Sequence, residues 1–408
     1  MKAYERLLNY VSVYTASDED SNTVPSTSRQ FDLAKKLVEE MKSIGISDAR
    51  VDDMCYVYGT IPATPGYENK PGIGFIAHMD TAPDFTGENV KPVILEDYDG
   101  SDIVLGNSGK TIENKYFAHL GNLKGKTLIH TDGTTLLGAD DKAGIAEIMT
   151  MAERLINSDI CHGRICIGFT PDEEVGRGAD HFDIEHFGAT FAYTVDGSAE
   201  NEVEYENFNA AGAELIFNGF NIHPGEATGR MINAALVAME FNSLLPPTAT
   251  PRTTAGYEGF FHLCDMEGDV SRATLSYIIR DHDEAKFAEK KALMEAACKF
   301  INGKYGEGTC ELTITDQYRN MIEMIKPHMR LIDNAFEAIR RVGLEPKAVA
   351  IRGGTDGARL SYNGLPCPNL GTGGYCFHGP YEHITIEGMD NVVQILLNIV
   401  EISYGAKN

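Results

Sequence analysis

The sequence predicts an α/β protein whose sheet is interrupted by an inserted α+β unit. Two observations carry this. Short apolar strand-like runs alternate with amphipathic helical stretches up to about residue 196, as in sheets of parallel strands with helices on both faces. Residues 208–317 then change character and read β-α-β-β-α-β, the order of a split-βαβ sandwich. A self-contained unit placed between two parts of an α/β domain reads as a lid. The division expected is 1–207 with 318–408 as one discontinuous domain, and 208–317 as the inserted one.

Residues 28–44 read as a helix, because Phe31, Ala34, Leu37, Val38 and Met41 recur at helical spacing and Gly45 follows as a stop. Residues 72–77 form an apolar strand. A second helix is expected over 141–156, with Ile145, Ile148, Met149, Ala152 and Leu155 on one side. Strands follow at 165–169 and 191–195. Residues 84–130, rich in Gly, Asp, Asn and Lys, read as an irregular excursion with short antiparallel strands, most simply a surface insertion. In the inserted unit, a strand at 211–217 precedes a helix at 230–245 that Pro246 and Pro247 stop. Strands 260–267 and 273–280 flank a Gly268–Asp269 turn. A helix at 284–301 and a strand at 309–315 complete the unit, and 325–342 is expected to be helical.

The chain has 408 residues, 43% of them apolar, enough for a large core and two or three domains. Its formal charge of −25 repels phosphate backbones, so nucleic acid is not an expected partner. Eight cysteines are scattered without a CxxC pair, which fits reduced thiols in the cytoplasm. The first twenty residues lack an uninterrupted apolar core, so no secretory signal is expected. No apolar run reaches the ~18 residues a membrane span needs.

The apolar runs end in metal-ligand residues. FIAHMD brings His78 and Asp80, LGADD brings Asp140 and Asp141, GFTPDEE brings Glu173 and Glu174, AYTVD brings Asp196, and YCFHGPYE adds His378. In α/β sheets, ligands bind beyond the carboxyl ends of strands, where the first four segments fall. Two imidazoles with several carboxylates suit a pair of divalent ions of the zinc class rather than calcium or magnesium. Such a pair makes a nucleophile of water at neutral pH. Asp80 fits as the partner that fixes the His78 tautomer. Asp140 fits a bridge between two ions, and Asp141 a helix cap. Adjacent Glu173 and Glu174 diverge, so one as ligand and the other as proton shuttle is the sensible division. Singly, each residue has a plain structural reading: a satisfied core histidine, a cap, a solvated acidic loop. Their recurrence at strand ends is what counts. No GxSxG elbow, P-loop, GxGxxG or HExxH occurs.

The stretches GIGFIAHMDTAPDFTG, LLGADDKAGIAEIM, FTPDEEVGRGAD, YTVDGS, NIHPGEA, IRGGTDGARLS and FHGPYEHITIEGM resemble, in order and over the whole chain, the metallopeptidase family of aminoacylase, carboxypeptidase G, carnosinase-like dipeptidases and acetylornithine deacetylase. HMDTAPDFTG and FHGPYEHITIEGM point to its tripeptide-aminopeptidase branch. The resemblance implies a zinc-peptidase-like domain with a mixed sheet and a ferredoxin-like lid. It implies two Zn2+ per chain, with Co2+ or Mn2+ as substitutes. His78, Asp140 and Asp196 would hold one ion, and Asp140, Glu174 and His378 the other. Glu173 would be the general base, Asp80 the partner of His78, and the Asp140–Asp141 peptide cis. His223 on the lid would stabilise the oxyanion, with Arg280 and Arg352 as anchors for the substrate carboxylate or backbone. A homodimer is the expected assembly.

The expected activity is therefore release of the N-terminal residue from tripeptides, with water as nucleophile. A dipeptidase, carboxypeptidase or N-acyl amino-acid deacylase would share the same metal core. A non-catalytic metal protein has no use for a proton shuttle such as Glu173, and the lack of a basic cluster disfavours a two-metal phosphoesterase.

Overall fold

Eight strands build the largest sheet, in the order Arg50–Val51, Val57–Ile61, Ile165–Thr170, Ile73–His78, Phe191–Gly197, Asn369–Gly371, Glu202–Asn207, Lys347–Ile351. The computed structural model describes residues 1–405. Ile165–Thr170, Ile73–His78, Phe191–Gly197 and Asn369–Gly371 run parallel. Val57–Ile61 pairs antiparallel with Ile165–Thr170, and Glu202–Asn207 pairs antiparallel with Asn369–Gly371. The sheet is thus mixed, not wholly parallel as the strand–helix alternation by itself suggests. Arg50–Val51 and Val57–Ile61 are joined by a link too short for a parallel crossover, so they pair antiparallel.

The chain divides into two units. One comprises Met1–Tyr205, Glu323–Val349 and Thr355–Asn408; the other comprises Glu206–Ile322 and Ala350–Gly354. In the first, Ile73–His78 is buried along its whole length, as is Ile165–Thr170. Such strands are covered on both faces, which explains why they read as continuous apolar runs rather than alternating ones. Helix Ala139–Ile156 is buried nearly all round, with Ile145, Ile148, Met149 and Leu155 in the core. Helices Ala3–Val11 and Ile386–Tyr404, which the sequence pattern did not mark out, belong to the same unit.

The excursion carries more structure than an insertion requires. Strands Val93–Leu95 and Leu128–His130 pair antiparallel, and so do Ile103–Leu105 and Lys110–Ile112. Tyr98, Ile103, Leu105, Ile112, Leu120, Leu123 and Leu128 form a core of their own. Strand Leu128–His130 also pairs with His383–Thr385, which ties the excursion to the late histidine loop.

The second unit is a four-stranded antiparallel sheet ordered Phe260–Gly268, Arg272–Asp281, Asn209–Asn218, Cys310–Tyr318. Alternate residues Ala211, Ala213, Leu215 and Phe217 are buried, and so are Ala273, Leu275, Tyr277 and Ile279. This two-residue period gives the sheet one core face. Val237, Ala238 and Phe241 of helix Ala234–Leu244 join that core, with Phe287, Met294 and Ile301 of helix Glu284–Tyr305. The first helix starts later than its apolar spacing suggests, because the Asn233 side chain caps the Leu236 amide. The helix expected over 325–342 is broken: Pro327 sits in a 3-10 turn, and the regular helix begins at Arg330. Among the described residues no helix is long and apolar enough to cross a membrane.

Candidate metal centre

His78 ends a central strand, and the parallel register sets its neighbours. It pairs with Thr170 on one side, while Ile76 pairs with Thr194 on the other. Asp196 therefore arrives level with His78, and the turn bearing Glu173 and Glu174 starts just beyond. His78 Nε2 lies 3.0 Å from Asp140 Oδ1 and 3.4 Å from Asp196 Oδ1. The other oxygen of Asp140 lies 3.3 Å from His378 Nε2, which in turn is 3.0 Å from Glu174 Oε2. Asp140 thus divides its carboxylate between two imidazoles, each of which meets a further carboxylate. The Asp140–Asp141 peptide is cis.

Asp80 is fully buried and works in two directions. Its Oδ1 is 3.3 Å from His78 Nδ1, whose other near neighbour is the Asp80 carbonyl at 3.1 Å. Both acceptors favour a proton on Nδ1 and leave Nε2 free to ligate. The Asp80 carboxylate also accepts the Glu173 and Glu174 amides at 3.0 and 3.2 Å. It therefore pins the turn that carries both glutamates. The Glu173 carboxylate accepts no hydrogen bond among the described residues, while Glu174 faces His378.

Three residues that the sequence reasoning did not assign complete the site. Glu382 accepts the Leu137, Gly138 and Asp140 amides at 2.6, 2.8 and 3.0 Å, fixing the loop that delivers Asp140. Its place four residues after His378 was the available signal. Asp172 adopts a left-handed φ of 57° and accepts from Ser26 and the Gln30 side chain, anchoring the glutamate turn from below. Asp356 accepts the Thr170 hydroxyl at 2.8 Å. Asp141 accepts the Gly144 amide at 3.2 Å, as a cap does, and also the His78 amide at 3.2 Å.

The electrostatics call for cations. Burial pushes Glu174 up to about 7 and Asp196 up to about 6. Burial, then repulsion from Asp196, holds Glu173 well above the usual range. Asp140 goes the other way: burial opposes its charge, but hydrogen bonds from His378 and His78 keep its carboxyl low. Contacts with Asp140 and Glu174 raise His378 to about 11. More carboxylates converge than two imidazoles can balance. Glu174 Oε1 is also buried with no hydrogen-bond partner among the described residues. His78, Asp140 and Glu174 bring ligand atoms within 4.8 Å of one another, as do His78, Asp141 and Asp196. Imidazole nitrogen with carboxylate oxygen is a donor set for zinc-class ions, so these residues fit a dinuclear centre.

A model of the peptidase family M20/M25/M40 matches residues 129–402. The chain belongs to that family. Among its relatives, a protein named Peptidase T from Alkaliphilus oremlandii is 54% identical over 401 residues, covering 98% of both chains. A Peptidase T from Caldanaerobacter subterraneus is 52% identical over 408 residues, covering 100% of this chain and 99% of the other. Among solved structures, an aminopeptidase PepT from Bacillus cereus superposes with a TM-score of 0.77 at 23% identity, covering 98% of each chain. This M20 chain therefore has the mixed-sheet fold with an additional α+β unit that the sequence resemblance implied.

The three remaining candidates lie in the second unit. His223 is exposed and its Nδ1 accepts the Gly225 amide at 3.2 Å, which leaves the proton on Nε2. Arg280 uses Nη1 on the Ala211 and Ile279 carbonyls and packs over the Tyr318 ring. Arg352 spends both terminal nitrogens on one loop: Nη1 on the Gly256 and Glu258 carbonyls, Nη2 on Thr254. Its guanidinium also lies over Phe208 and Phe260.

Proposed function

We propose that this M20 family member is a cytoplasmic dinuclear metallo-aminopeptidase that releases the N-terminal residue from tripeptides. The observation that carries the reading is the division of the Asp140 carboxylate between His78 and His378. The names of full-length relatives at more than half identity support the substrate class.

In this reading His78, Asp140 and Asp196 hold one ion, and Asp140, Glu174 and His378 hold the other, zinc natively and cobalt or manganese in substitution. The bound pair supplies Lewis acidity to the scissile carbonyl and makes water a nucleophile at neutral pH. The Glu173 carboxylate takes the proton from the attacking water and delivers it to the leaving amine. Burial suits it to this shuttle, because a carboxyl raised above its ordinary range holds a transferred proton more readily than a solvated one. Asp80 keeps His78 in its ligating tautomer and keeps the glutamate turn in register with it. Glu382 holds the backbone that carries Asp140. His223 offers its Nε2–H to the oxyanion, and Arg280 and Arg352 contact the substrate carboxylate or backbone. For Arg352 this contact is shared with its hold on the 254–258 loop.

The inserted α+β unit serves as lid and dimerisation unit. Leu236 and Met239, one turn apart on its first helix, are 61% and 58% exposed, which supports pairing of two copies.

The test is hydrolysis of one tripeptide by chelator-stripped, zinc-reconstituted protein, beside the matching dipeptide, tetrapeptide and N-acetylated tripeptide. The reading expects release of the N-terminal residue from the free tripeptide alone. Cleavage of the acetylated peptide or the dipeptide instead moves the chain to a deacylase or dipeptidase branch with the same metal core.

A further inference from the structure

A second group of metal-ligand side chains lies in the first unit, on residues that the dinuclear centre does not use. His119, on the 3-10 turn Ala118–Leu123, faces His383 at the start of strand His383–Thr385. Their Nε2 atoms are 2.9 Å apart. Cys376 completes the group, with ligand atoms from all three within 4.8 Å of one another. We infer that His119, Cys376 and His383 form a separate mononuclear site for a thiophilic divalent cation of the zinc class.

The surroundings are those of a prepared ligand set. His383 is buried and its Nδ1 lies 2.7 Å from the Tyr381 carbonyl. A carbonyl only accepts, so Nδ1 carries the proton and Nε2 presents a lone pair. A backbone carbonyl behind a ligating imidazole is the usual orienting arrangement in metal sites. The His119 ring is stacked on Tyr375 at 4.6 Å and 12°, which fixes its plane. Burial drives His383 down to about 4 and lowers His119, so both rings are neutral near pH 7. Cys376 has a left-handed φ of 58°, uncommon for a residue with a side chain, and His378 has a φ of 62°. The turn places the Cys376 thiol beside the histidine pair.

Without a cation, His119 donates to His383 through Nε2. Binding replaces that hydrogen bond with two nitrogen–metal bonds and one sulfur–metal bond. The Cys376 thiol proton leaves to solvent and the His119 proton moves to Nδ1. Tetrahedral zinc with Zn–N bonds of about 2.0–2.1 Å holds its nitrogens about 3.3 Å apart, so the rings need part only slightly. Two imidazoles and one thiolate leave a fourth position open. Softer than the carboxylate-rich centre, the site selects for zinc, cadmium or cobalt over manganese and magnesium.

The experiment titrates chelator-stripped protein with Co2+, followed by equilibrium dialysis and by near-ultraviolet absorption. The dinuclear centre offers only nitrogen and oxygen, so a sulfur-to-cobalt charge-transfer band reports this site alone. The expected result is three equivalents of Co2+ and the band. C376S and H119A should each lose the band and fall to two equivalents, with circular dichroism unchanged. A C161S/C264S variant, which removes the exposed thiols, should keep the band. So should D140N, whose dinuclear centre is crippled, so that failure of the dinuclear reading shows as a missing pair of equivalents with the band intact. Absence of the band from the wild-type protein overturns the inference, as does its survival in C376S.

Discussion

Nε2 of His78 lies 3.0 Å from Oδ1 of Asp140, while the other oxygen of that carboxylate faces His378 at 3.3 Å. In the proposed centre one side chain would thus serve both halves, and its loss should cost both ions rather than one. Asp140→Asn is expected to take the metal content of the dinuclear centre from two equivalents toward zero. Turnover should fall more than the ~10–100-fold typical of losing an outer-shell partner. Metal analysis beside kinetics checks this; a variant retaining one tight ion at the dinuclear centre, beyond any held by Cys376, would refute the bridging role.

Glu173 and Glu174 are neighbours in sequence, but only Glu174 contacts a histidine, His378. Glu173→Gln should leave both ions of the dinuclear centre bound and lower kcat by ~10²–10⁴-fold, the usual worth of a positioned acid–base group. If the variant lost metal in step with activity, Glu173 would be a ligand and its assignment as proton shuttle would fail.

Gly144 allows the helix after Asp141 to start against a strand. A Cβ there would lie 1.9 Å from the Val195 carbonyl and 2.5 Å from Asp141 Oδ1. Backbone cannot yield as a flexible side chain would. Gly144→Ala should push the helix start away from strand Phe191–Gly197, separating Asp140 from Asp196. Weaker metal binding and a lowered thermal midpoint are the expected readouts. Unchanged metal affinity would show that the strand end adapts.

Glu147 is fully buried on the same helix, and neither of its carboxylate oxygens has a hydrogen-bond partner among the described residues. Burial, then repulsion from Glu200, raises its carboxyl well above the ordinary value. The folded state therefore binds the proton more tightly than the unfolded state does. That contribution to stability is full below the unfolded pKa and is lost as pH rises toward the folded value. Glu147→Gln should thus gain on the wild type as pH rises from about 4 to about 8, read as the difference in thermal midpoints. A difference that stays constant with pH would rule out a buried proton at this residue.

Much of this architecture is legible in the order and spacing of its residues. Apolar runs fixed the central strands, because strands buried on both faces must be continuous in hydrophobicity. The β-α-β-β-α-β order of the second unit was readable because alternation along 211–217 and 273–280 has one buried side. His78, Asp140, Glu174, Asp196 and His378 were visible as ligand types recurring at strand ends and in one late loop.

Which atoms meet is set by how the folded chain packs. Whether Glu173 or Glu174 faces His378 depends on a turn held from distant segments by Asp80 and, through Asp172, by Ser26. Glu382 gave no periodic signal, since its work is to accept amides of a loop more than two hundred residues earlier. Arg352 was legible only as an anchor for substrate, and the structure adds that its fork holds the 254–258 loop. The pairing of His119 with His383 is a meeting across 264 residues that no local pattern encodes. Periodicity reports the face a residue presents. Hydrogen bonds between remote segments depend on register and loop path, and these are set only when the whole chain packs.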